Sequence, residues 1–299
     1  MTRKYHRGLL VLGGLIILLP LLGVGIFALV NKTNGELVSG GQSRTYLLHV
    51  PPTYDPATPV PLVISIHGFA EWPAHQMQVS HWNDLADAES FIVVYPSGLD
   101  FPKRWRVEDV TFIADLITHL EEHYNIDPAR IYANGLSNGG GMSYILGCRL
   151  AERIAAIGSV AGAYMLPLEE CQPARPVPMI AFHGTADPVV PYEGGPSRWF
   201  ELPFPVIPDW ISQRAQLNGC DSTPSDLLTQ GAITGIQYTA CDEGADVRFY
   251  TIEGGGHTWP GGEALPEWLV GVTTQEINAT QAMWEFFERH VLPATTEKP

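Results

Sequence analysis

The chain has 299 residues, of which 45% are apolar and 16% are charged. A chain of this length and composition can bury one large hydrophobic core, which excludes an intrinsically disordered protein. The chain has 17 lysine and arginine residues and 32 aspartate and glutamate residues, so its formal net charge is −15. So acidic a surface repels phosphate backbones, and we therefore expect no nucleic-acid partner.

The first 30 residues predict an export segment. Residues 1–8 form a basic flank with Arg3, Lys4 and Arg7, and residues 9–30 contain no charged side chain. A helix of that length can cross a bilayer, and the basic flank would stay in the cytoplasm. The segment is either a membrane anchor, which its length favours, or a cleavable signal peptide. In both cases we expect the rest of the chain outside the cell or at the cell surface, and an uncleaved segment would make the membrane a partner.

The remainder of the sequence predicts one α/β domain. After a linker at residues 31–42, short β-type runs alternate with stretches of helical periodicity, which is typical of a mostly parallel, doubly wound sheet with helices on both faces. No internal repeat or second composition zone divides residues 43–292, and residues 293–299 form a short flexible tail. The predicted strands are an edge strand at Thr45–Val50 and the buried runs Leu62–Ile66, Phe91–Tyr95, Ile131–Ala133, Ala155–Val160, Met179–Phe182 and Val247–Ile252. The predicted helices are Asp109–Tyr124, Asn138–Gly147, Ile207–Leu217 and Thr274–His290.

The four cysteines fit an exported protein. They are Cys148, Cys171, Cys220 and Cys241. No two of them form a Cys-x-x-Cys motif or have the spacing of metal ligands, so we expect structural disulfides. Three pairings are possible. The sequential bridges Cys148–Cys171 and Cys220–Cys241 close short loops and are the preferred pairing, with buried free thiols as the alternative.

One segment does not fit the alternating pattern. Residues Pro191–Pro208 combine five prolines and two glycines with Trp199, Phe200 and Phe204. This composition is typical of an ordered loop or a small cap. The loop is either a wall of a substrate site or a connector whose aromatic side chains pack on the core.

A nucleophile motif lies in the middle of the chain. Gly135-Leu136-Ser137-Asn138-Gly139 is a Gly-x-Ser-x-Gly sequence between the predicted strand Ile131–Ala133 and a predicted helix. A strand–turn–helix setting of this kind places a serine on a tight turn with its hydroxyl exposed, and flanking glycines leave room for the turn. The sequence therefore predicts that Ser137 is a nucleophile.

A serine nucleophile needs a base and an acid, which follow it in that fold class in the order acid, then histidine. Asp187 lies just after the strand Met179–Phe182, where a strand-end loop would present it. His257 follows the last predicted strand directly, whereas His290 ends the final helix and suits its dipole. We therefore predict a catalytic triad of Ser137, His257 and Asp187.

Acyl transfer also needs hydrogen-bond donors for the oxyanion of the tetrahedral intermediate. One donor is expected to be the backbone N–H of Asn138, the residue after the nucleophile. The second is expected after an early strand, where His67-Gly68-Phe69 follows Leu62–Ile66, and we assign it to the backbone N–H of Phe69. His67 and His183, which both precede a glycine at a strand end, are interpreted as residues that hold loops by hydrogen bonds.

These motifs resemble those of the polyhydroxybutyrate-depolymerase and feruloyl-esterase family of secreted α/β-hydrolases. The resemblance covers nearly all of the exported part and is most specific at Leu136–Gly140, His183–Asp187 and Gly256–Gly262. It implies an α/β-hydrolase fold and a serine esterase without metal or cofactor. The implied substrates are feruloyl or acetyl esters of plant polysaccharide, or polyhydroxyalkanoate polyesters. The chain departs from the family pattern at residues 96–107 and in the segment Pro191–Pro208.

Several aromatic side chains near the motifs are candidate substrate contacts. Trp259, Trp72, Trp105 and Trp199, together with Phe69, could bind a flat phenolic acyl group or a polyester. Trp259 is the first candidate because it lies two residues from the predicted base.

A different class of enzyme is indicated by His119-Leu120-Glu121-Glu122-His123, which matches the His-x-x-Glu-His signature of zinc peptidases. Because Leu120 and Tyr124 belong to the apolar stripe of the helix, a solvated histidine and glutamate face is the simpler explanation. We therefore expect no bound metal, and activity that is insensitive to chelators would decide between the two.

Two further alternatives keep the same fold. An acyltransferase would use the same triad and deliver the acyl group to a sugar instead of water. A binding module would be a hydrolase fold without activity, which an intact serine, histidine and aspartate set argues against.

Overall fold

The structure is a computed structural model and describes residues 32–197 and 203–293. The predicted export segment, residues 9–30, lies outside the described residues, as do Trp199 and residues 294–299 of the tail. No helix in the described ranges is long and apolar enough to span a bilayer.

The described residues form one mixed sheet with helices on both faces, which confirms the predicted α/β-hydrolase fold class. The strand order is β1-β2-β4-β3-β5-β6-β7-β10-β9-β8, and the central strands from β4 to β10 run parallel while both margins are antiparallel. The strands are β1 Gly35–Ser39, β2 Gln42–His49, β3 Val60–Ile66, β4 Ile92–Pro96, β5 Ile126–Leu136, β6 Ala156–Val160, β7 Met179–Gly184, β8 Ser225–Gln230, β9 Ile233–Tyr238 and β10 Val247–Ile252. The helices are α1 Pro73–Ser80, α2 Trp82–Glu89, α3 Val110–His123, α4 Asn138–Arg149, α5 Ile207–Leu217, α6 Glu267–Val270 and α7 Ala279–Phe287.

The central strands are buried on both faces because helices cover each face. Every residue of β3, β4, β6 and β7 is buried. Alternate side chains of β3 belong to two different clusters: Leu62 and Ile64 pack with residues of α3, α4 and α5, whereas Val63 packs with α2 and α7. This is the packing that continuous apolar runs predict for parallel strands.

The margins of the sheet differ from the prediction. The predicted linker at residues 31–42 contains β1, which forms the edge of the sheet, so the predicted edge strand Thr45–Val50 is in fact the second strand. The strands β8 and β9 were not predicted. In β8 five of six residues are exposed, so its sequence lacks the buried face that makes a strand recognisable.

The predicted disulfide pairing is confirmed. Cys148 in α4 is bonded to Cys171, and Cys220 after α5 is bonded to Cys241. The first bridge ties the helix that begins after Ser137 to the segment that follows β6. The second bridge joins the two ends of the segment that contains β8 and β9.

The parallel strands set the position of the functional loops. The loop with Gly68 follows β3, Ser137 follows β5, Asp187 lies in the loop after β7, and His257 lies after β10. Because these strands are parallel, their carboxyl ends meet at one edge of the sheet, where α/β folds bind ligands.

Candidate active site

Ser137 lies on a sharp turn between β5 and α4. Its φ angle is 58°, in the left-handed region that few residues other than glycine adopt, and the residue is 8% exposed. A side chain on Gly135 would overlap the backbone of Gly139, and a side chain on Gly139 would overlap the carbonyl oxygen of Ile66. The two glycines therefore let the turn pack against the end of β3, as in the nucleophile turn of hydrolases.

Asp187 and His257 form a buried pair. The Oδ2 atom of Asp187 lies 2.8 Å from Nδ1 of His257, and their side chains are 0% and 8% exposed. The other carboxylate oxygen accepts the backbone N–H groups of Val189 and Val190, each at 2.8 Å. The aspartate is thus fixed by its own loop and holds the proton of His257 on Nδ1, which leaves Nε2 as the basic nitrogen.

Asp187 and His257 each stabilise the charged form of the other. Burial alone would raise the pKa of Asp187, but the adjacent His257 and the hydrogen bonds lower the pKa below its usual range. Burial alone would lower the pKa of His257, but Asp187, with a smaller contribution from Glu71, raises it above its usual value. The site therefore contains a charged aspartate and a histidine that is more basic than usual.

Two other histidines hold the surrounding loops. The Nδ1 atom of His67 lies 2.7 Å from the carbonyl oxygen of Gly68, and Nε2 accepts the backbone N–H of Gly98 at 3.0 Å. The Nε2 atom of His183 donates to the carbonyl oxygen of Val190 at 2.9 Å. Burial lowers the pKa of His67 to about 4 and lowers the pKa of His183, so both rings are neutral.

Two backbone N–H groups of the loop after β3 already donate hydrogen bonds within the protein. Gly68 N–H donates to Oε2 of Glu71 at 2.8 Å, and Ala70 N–H donates to the carbonyl oxygen of Lys103 at 2.7 Å. Neither group can therefore serve as an oxyanion donor without breaking these bonds. Phe69, the predicted donor, lies between them, and its side chain borders the cavity beside Ser137.

A cavity of about 680 Å³ opens next to Ser137. That volume is in the range of sites for small organic ligands. Its inner wall is mainly apolar, and charged side chains lie at its rim. The apolar and aromatic residues that line it include Phe69, Trp105, Met142, Ile145, Ala163, Leu166, Val190 and Phe204, and the rim includes Arg104, Arg106, Glu108 and Glu170.

Trp105 is part of this wall. The side chain of Asn138 hydrogen-bonds the backbone N–H and carbonyl of Trp105 at 2.6 and 3.3 Å, and the indole N–H donates to the carbonyl oxygen of His67 at 2.9 Å. Asn138, the residue after Ser137, therefore fixes the loop that carries Trp105. Phe204 brings one end of the proline-rich segment Pro191–Pro208 to the same cavity.

The interpretation of Trp259 as a substrate contact is wrong. Trp259 is 1% exposed, belongs to the core on the α2 and α7 side, and donates its indole N–H to Thr280 at 2.9 Å. Trp259 lies two residues from His257 along the chain, but the turn between them directs the indole ring into the core and not towards the cavity. Trp72 immediately precedes α1, is only partly buried and is not among the residues that line the cavity.

The positions of Glu71 and of the Asn138 side chain differ from the sequence-based expectations, which assigned neither a contact in the site. Glu71 follows Gly68 by three residues and accepts its N–H, so an acidic residue at the end of the β3 loop was the available signal. The contact between Asn138 and Trp105 joins residues 33 positions apart and leaves no local pattern.

The histidines of the zinc-peptidase alternative lie elsewhere. His119, Glu122 and His123 are on the outer side of α3, with one ligand atom of each within 4.8 Å of the others. None of them lines the cavity beside Ser137. A peptidase with this cluster as its centre would need a different substrate site.

Relatives of known activity are similar to this chain over most of its length. A bifunctional acetylxylan esterase/xylanase of Neocallimastix patriciarum is 29% identical over 73% of this chain and 31% of its own length. Feruloyl esterase B of Piromyces equi is 32% identical over 72% of this chain and 42% of its own length. Feruloyl esterase C of Emericella nidulans is 29% identical over 86% of each chain. The chain therefore spans less than half the length of the first two relatives.

The resemblance to feruloyl esterases is confirmed. These relatives are esterases, which supports the prediction of a carboxylic ester hydrolase. Among solved structures, the acetyl xylan esterase from Aspergillus awamori matches 85% of this chain and 98% of its own with a TM-score of 0.60 at 15% identity, which supports the fold. No model of a known protein family matches the chain.

The raised pKa of His257 predicts the pH dependence of ester hydrolysis. A general base must be neutral, so kcat/KM should fall as the pH decreases through a value above the usual histidine pKa of about 6.5. Asp187→Asn removes the main charge that raises this pKa, so the acid limb should move to lower pH and the rate should fall by up to about 10⁴-fold.

The measurement is kcat/KM against pH from 5 to 9 for the wild type and Asp187→Asn. His49→Gln is the matched control, because His49 pairs with Asp87 at 2.7 Å on the surface. A wild-type profile that stays flat down to pH 5 would contradict the assignment.

Proposed function

We propose that this chain is an exported serine esterase that releases hydroxycinnamic acids from plant polysaccharide, with Ser137, His257 and Asp187 as its catalytic triad. The observation that carries the proposal is the buried pair of His257 and Asp187, at 2.8 Å, at the same sheet edge as the strained turn of Ser137. The apolar cavity beside Ser137 and the similarity to feruloyl esterases support the substrate class.

In the first half of the reaction, Nε2 of His257 takes the proton of the Ser137 hydroxyl as the oxygen attacks the ester carbonyl. The tetrahedral intermediate collapses when His257 returns that proton to the departing sugar oxygen. Asp187 stays ionised and stabilises the imidazolium that forms between these two steps. The result is an acyl-enzyme on Ser137 and a free alcohol.

In the second half, His257 takes a proton from water, and the hydroxide attacks the acyl-enzyme. The acid is released and Ser137 regains its proton. The backbone N–H groups of Asn138 and Phe69 are the oxyanion donors in both halves. No metal or cofactor takes part in this scheme.

The cavity favours an aromatic acyl group over an acetyl group. Its volume is about 680 Å³, most of its lining is apolar, and two aromatic residues, Trp105 and Phe69, are part of that lining. A flat phenolic ring gains contact with such walls, whereas an acetyl group would leave most of the space filled by water. A hydroxyalkanoate oligomer is the second acyl class that the sequence motifs imply.

Export is the remaining part of the proposal. Two disulfides are typical of proteins that fold in an oxidising compartment. The uncharged segment at residues 9–30 would direct the chain there, either as an anchor or as a signal peptide.

The proposal predicts hydrolysis of methyl ferulate with a kcat/KM well above that for acetylated xylan or a hydroxybutyrate trimer. Ser137→Ala should abolish hydrolysis of all three without changing the far-ultraviolet circular dichroism spectrum. Ala163→Leu, which places a larger side chain in the cavity wall, should lower kcat/KM for methyl ferulate by about 10-fold and spare small acetyl esters.

Initial rates on the three substrates measure these ratios. Activity that survives Ser137→Ala would refute the nucleophile. Equal loss on ferulate and acetate in Ala163→Leu would refute the cavity as the acyl site.

A further inference from the structure

Glu71 is a partly buried acid near Ser137 that the proposed mechanism does not use. A Cβ atom placed on Gly68 would lie 2.9 Å from Oε2 of Glu71 and 3.5 Å from Cβ of Ser137. The carboxylate and the nucleophile therefore flank the same point of the β3 loop. The reaction builds a second negative charge here, on the oxyanion.

The Glu71 carboxylate is charged. Burial alone would raise its pKa, but His75, the Gly68 N–H and His67 together lower the pKa below its usual range. Two negative charges that lie close together repel each other more strongly in a partly buried site than in open water. An uncompensated Glu71 would therefore oppose the formation of the oxyanion.

His75 supplies the compensating charge. Its Nδ1 atom lies 3.4 Å from Oε1 of Glu71, one helical turn away at the start of α1. This is an ion-pair distance, and Nδ1 is buried without an aligned hydrogen-bond acceptor. The second oxygen of Glu71 holds the Gly68 N–H, so the carboxylate joins a cationic ring to the loop that carries Phe69.

We propose that Glu71 and His75 are a positioning pair, in which Glu71 fixes the oxyanion loop through Gly68 and protonated His75 neutralises the carboxylate beside the oxyanion. The proposal rests on the proposed serine esterase mechanism. Compensation by His75 explains why the carboxylate of Glu71 can lie next to the proposed oxyanion donors of the β3 loop. Phe69 is then held from both sides, because Ala70 N–H is bonded to Lys103.

The charged groups around Glu71 and His75 determine the pH range over which both side chains are charged. Glu71 faces His75, His67 and His257, and His75 also faces Glu263, which is held by Gln78 at 2.7 Å. Burial lowers the pKa of His75, but Glu71 raises it more, above the usual value. His67 is neutral, and His257 must lose its proton to act as the base, so the loss of charge that should lower kcat on the alkaline side is that of His75.

Charge-removing variants separate the two roles. His75→Gln leaves Glu71 uncompensated and should lower kcat on the order of 10-fold with little change in KM. Glu71→Gln keeps an acceptor for the Gly68 N–H but carries no charge, so the alkaline decline of kcat should disappear. The double variant should recover most of the activity that His75→Gln loses, because no charge remains to neutralise. His81→Gln, which removes an exposed pair with Asp84 on the next helix, is the matched control.

The outcomes distinguish this pair from the triad. Absence of any Ser137-dependent turnover would refute the proposed function. Additive losses in the double variant, with an active wild type, would refute the pair alone. An NMR titration of the His75 ring needs no turnover: a pKa at or below about 6.5 in the wild type would overturn the proposal.

A second inference comes from the cluster on α3. One ligand atom each of His119, Glu122 and His123 lies within 4.8 Å of the others, and the two imidazole rings have their centroids 4.4 Å apart. Two imidazoles and a carboxylate are a donor set that Zn²⁺ prefers. Their spacing along the helix places them on one side.

The second nitrogen of each ring has a partner, as in known zinc sites. Nδ1 of His123 lies 2.7 Å from the carbonyl oxygen of His119, so the proton on Nδ1 leaves Nε2 free to ligate. Nε2 of His119 lies 3.1 Å from the hydroxyl of Tyr46, which leaves Nδ1 as the ligand atom. Such outer contacts fix the tautomer and the orientation of metal-binding histidines.

We infer that His119, Glu122 and His123 bind one divalent transition-metal ion, with Zn²⁺ as the probe, at a site separate from the active site. His119 is partly buried and the other two side chains are exposed, and none of the three lines the cavity beside Ser137. Its effect would be to link the end of α3 to Tyr46 in β2 rather than to catalyse a reaction.

Isothermal titration of the full chain with zinc sulfate tests this site, with no histidine tag present. One equivalent of Zn²⁺ should bind with micromolar affinity, and His119→Gln or His123→Gln should weaken binding by at least about 10-fold. His49→Gln, another exposed histidine beside an acid, is the control and should bind as the wild type does. Equal binding by the wild type and the His119→Gln/His123→Gln variant would overturn the inference.

Discussion

The close packing of the turn at Ser137 against the end of β3 is the constraint on which the rest of the site depends. Gly139 lies so near the carbonyl oxygen of Ile66 that no side chain fits between them. This contact brings Ser137, the proposed nucleophile, next to the loop that begins at His67, with Ser137 in a strained backbone conformation. Hydrogen bonds from Ser137 N–H to Val160 and from Gly141 and Ala163 to the Ser137 carbonyl stabilise that conformation.

Burial and carboxylates together give the neighbouring histidines different charges. His67 and His183 are buried, and the effect of burial outweighs that of the nearby carboxylates of Glu71 and Asp187, so the pKa of each is lowered. His257 is buried and His75 is partly buried, and there the carboxylates of Asp187 and Glu71 outweigh burial, so the pKa of each is raised. Residues of one type thus differ in charge: two are neutral loop anchors, and two are suited to the roles of base and counter-charge that we propose for His257 and His75.

Features with a strong local signal could be predicted from the sequence. The buried central strands, the order of Ser137, Asp187 and His257 at strand ends, and the two disulfides all follow from hydrophobic runs, short motifs and cysteine spacing. Helix α7 was predicted to begin at Thr274, but it begins at Ala279 because the side chain of Asn278 caps its first turn. That capping residue was visible in the sequence.

Features that depend on tertiary contacts could not be predicted. The strand β1 alternates exposed and partly buried residues and is defined by its pairing with β2, not by its own composition. Whether a tryptophan faces the cavity, as Trp105 does, or the core, as Trp259 does, depends on how a turn directs the ring. The approach of Glu71 to Ser137 likewise exists only once the loop after β3 has folded.

The most direct test of the account is to identify the residue that a fluorophosphonate ester modifies. The account predicts a single adduct on Ser137, found by mass spectrometry of the digested protein, and a large loss of the labelling rate in His257→Ala, because the imidazole activates the hydroxyl. An adduct on another residue, or labelling of Ser137 at an unchanged rate without His257, would contradict it.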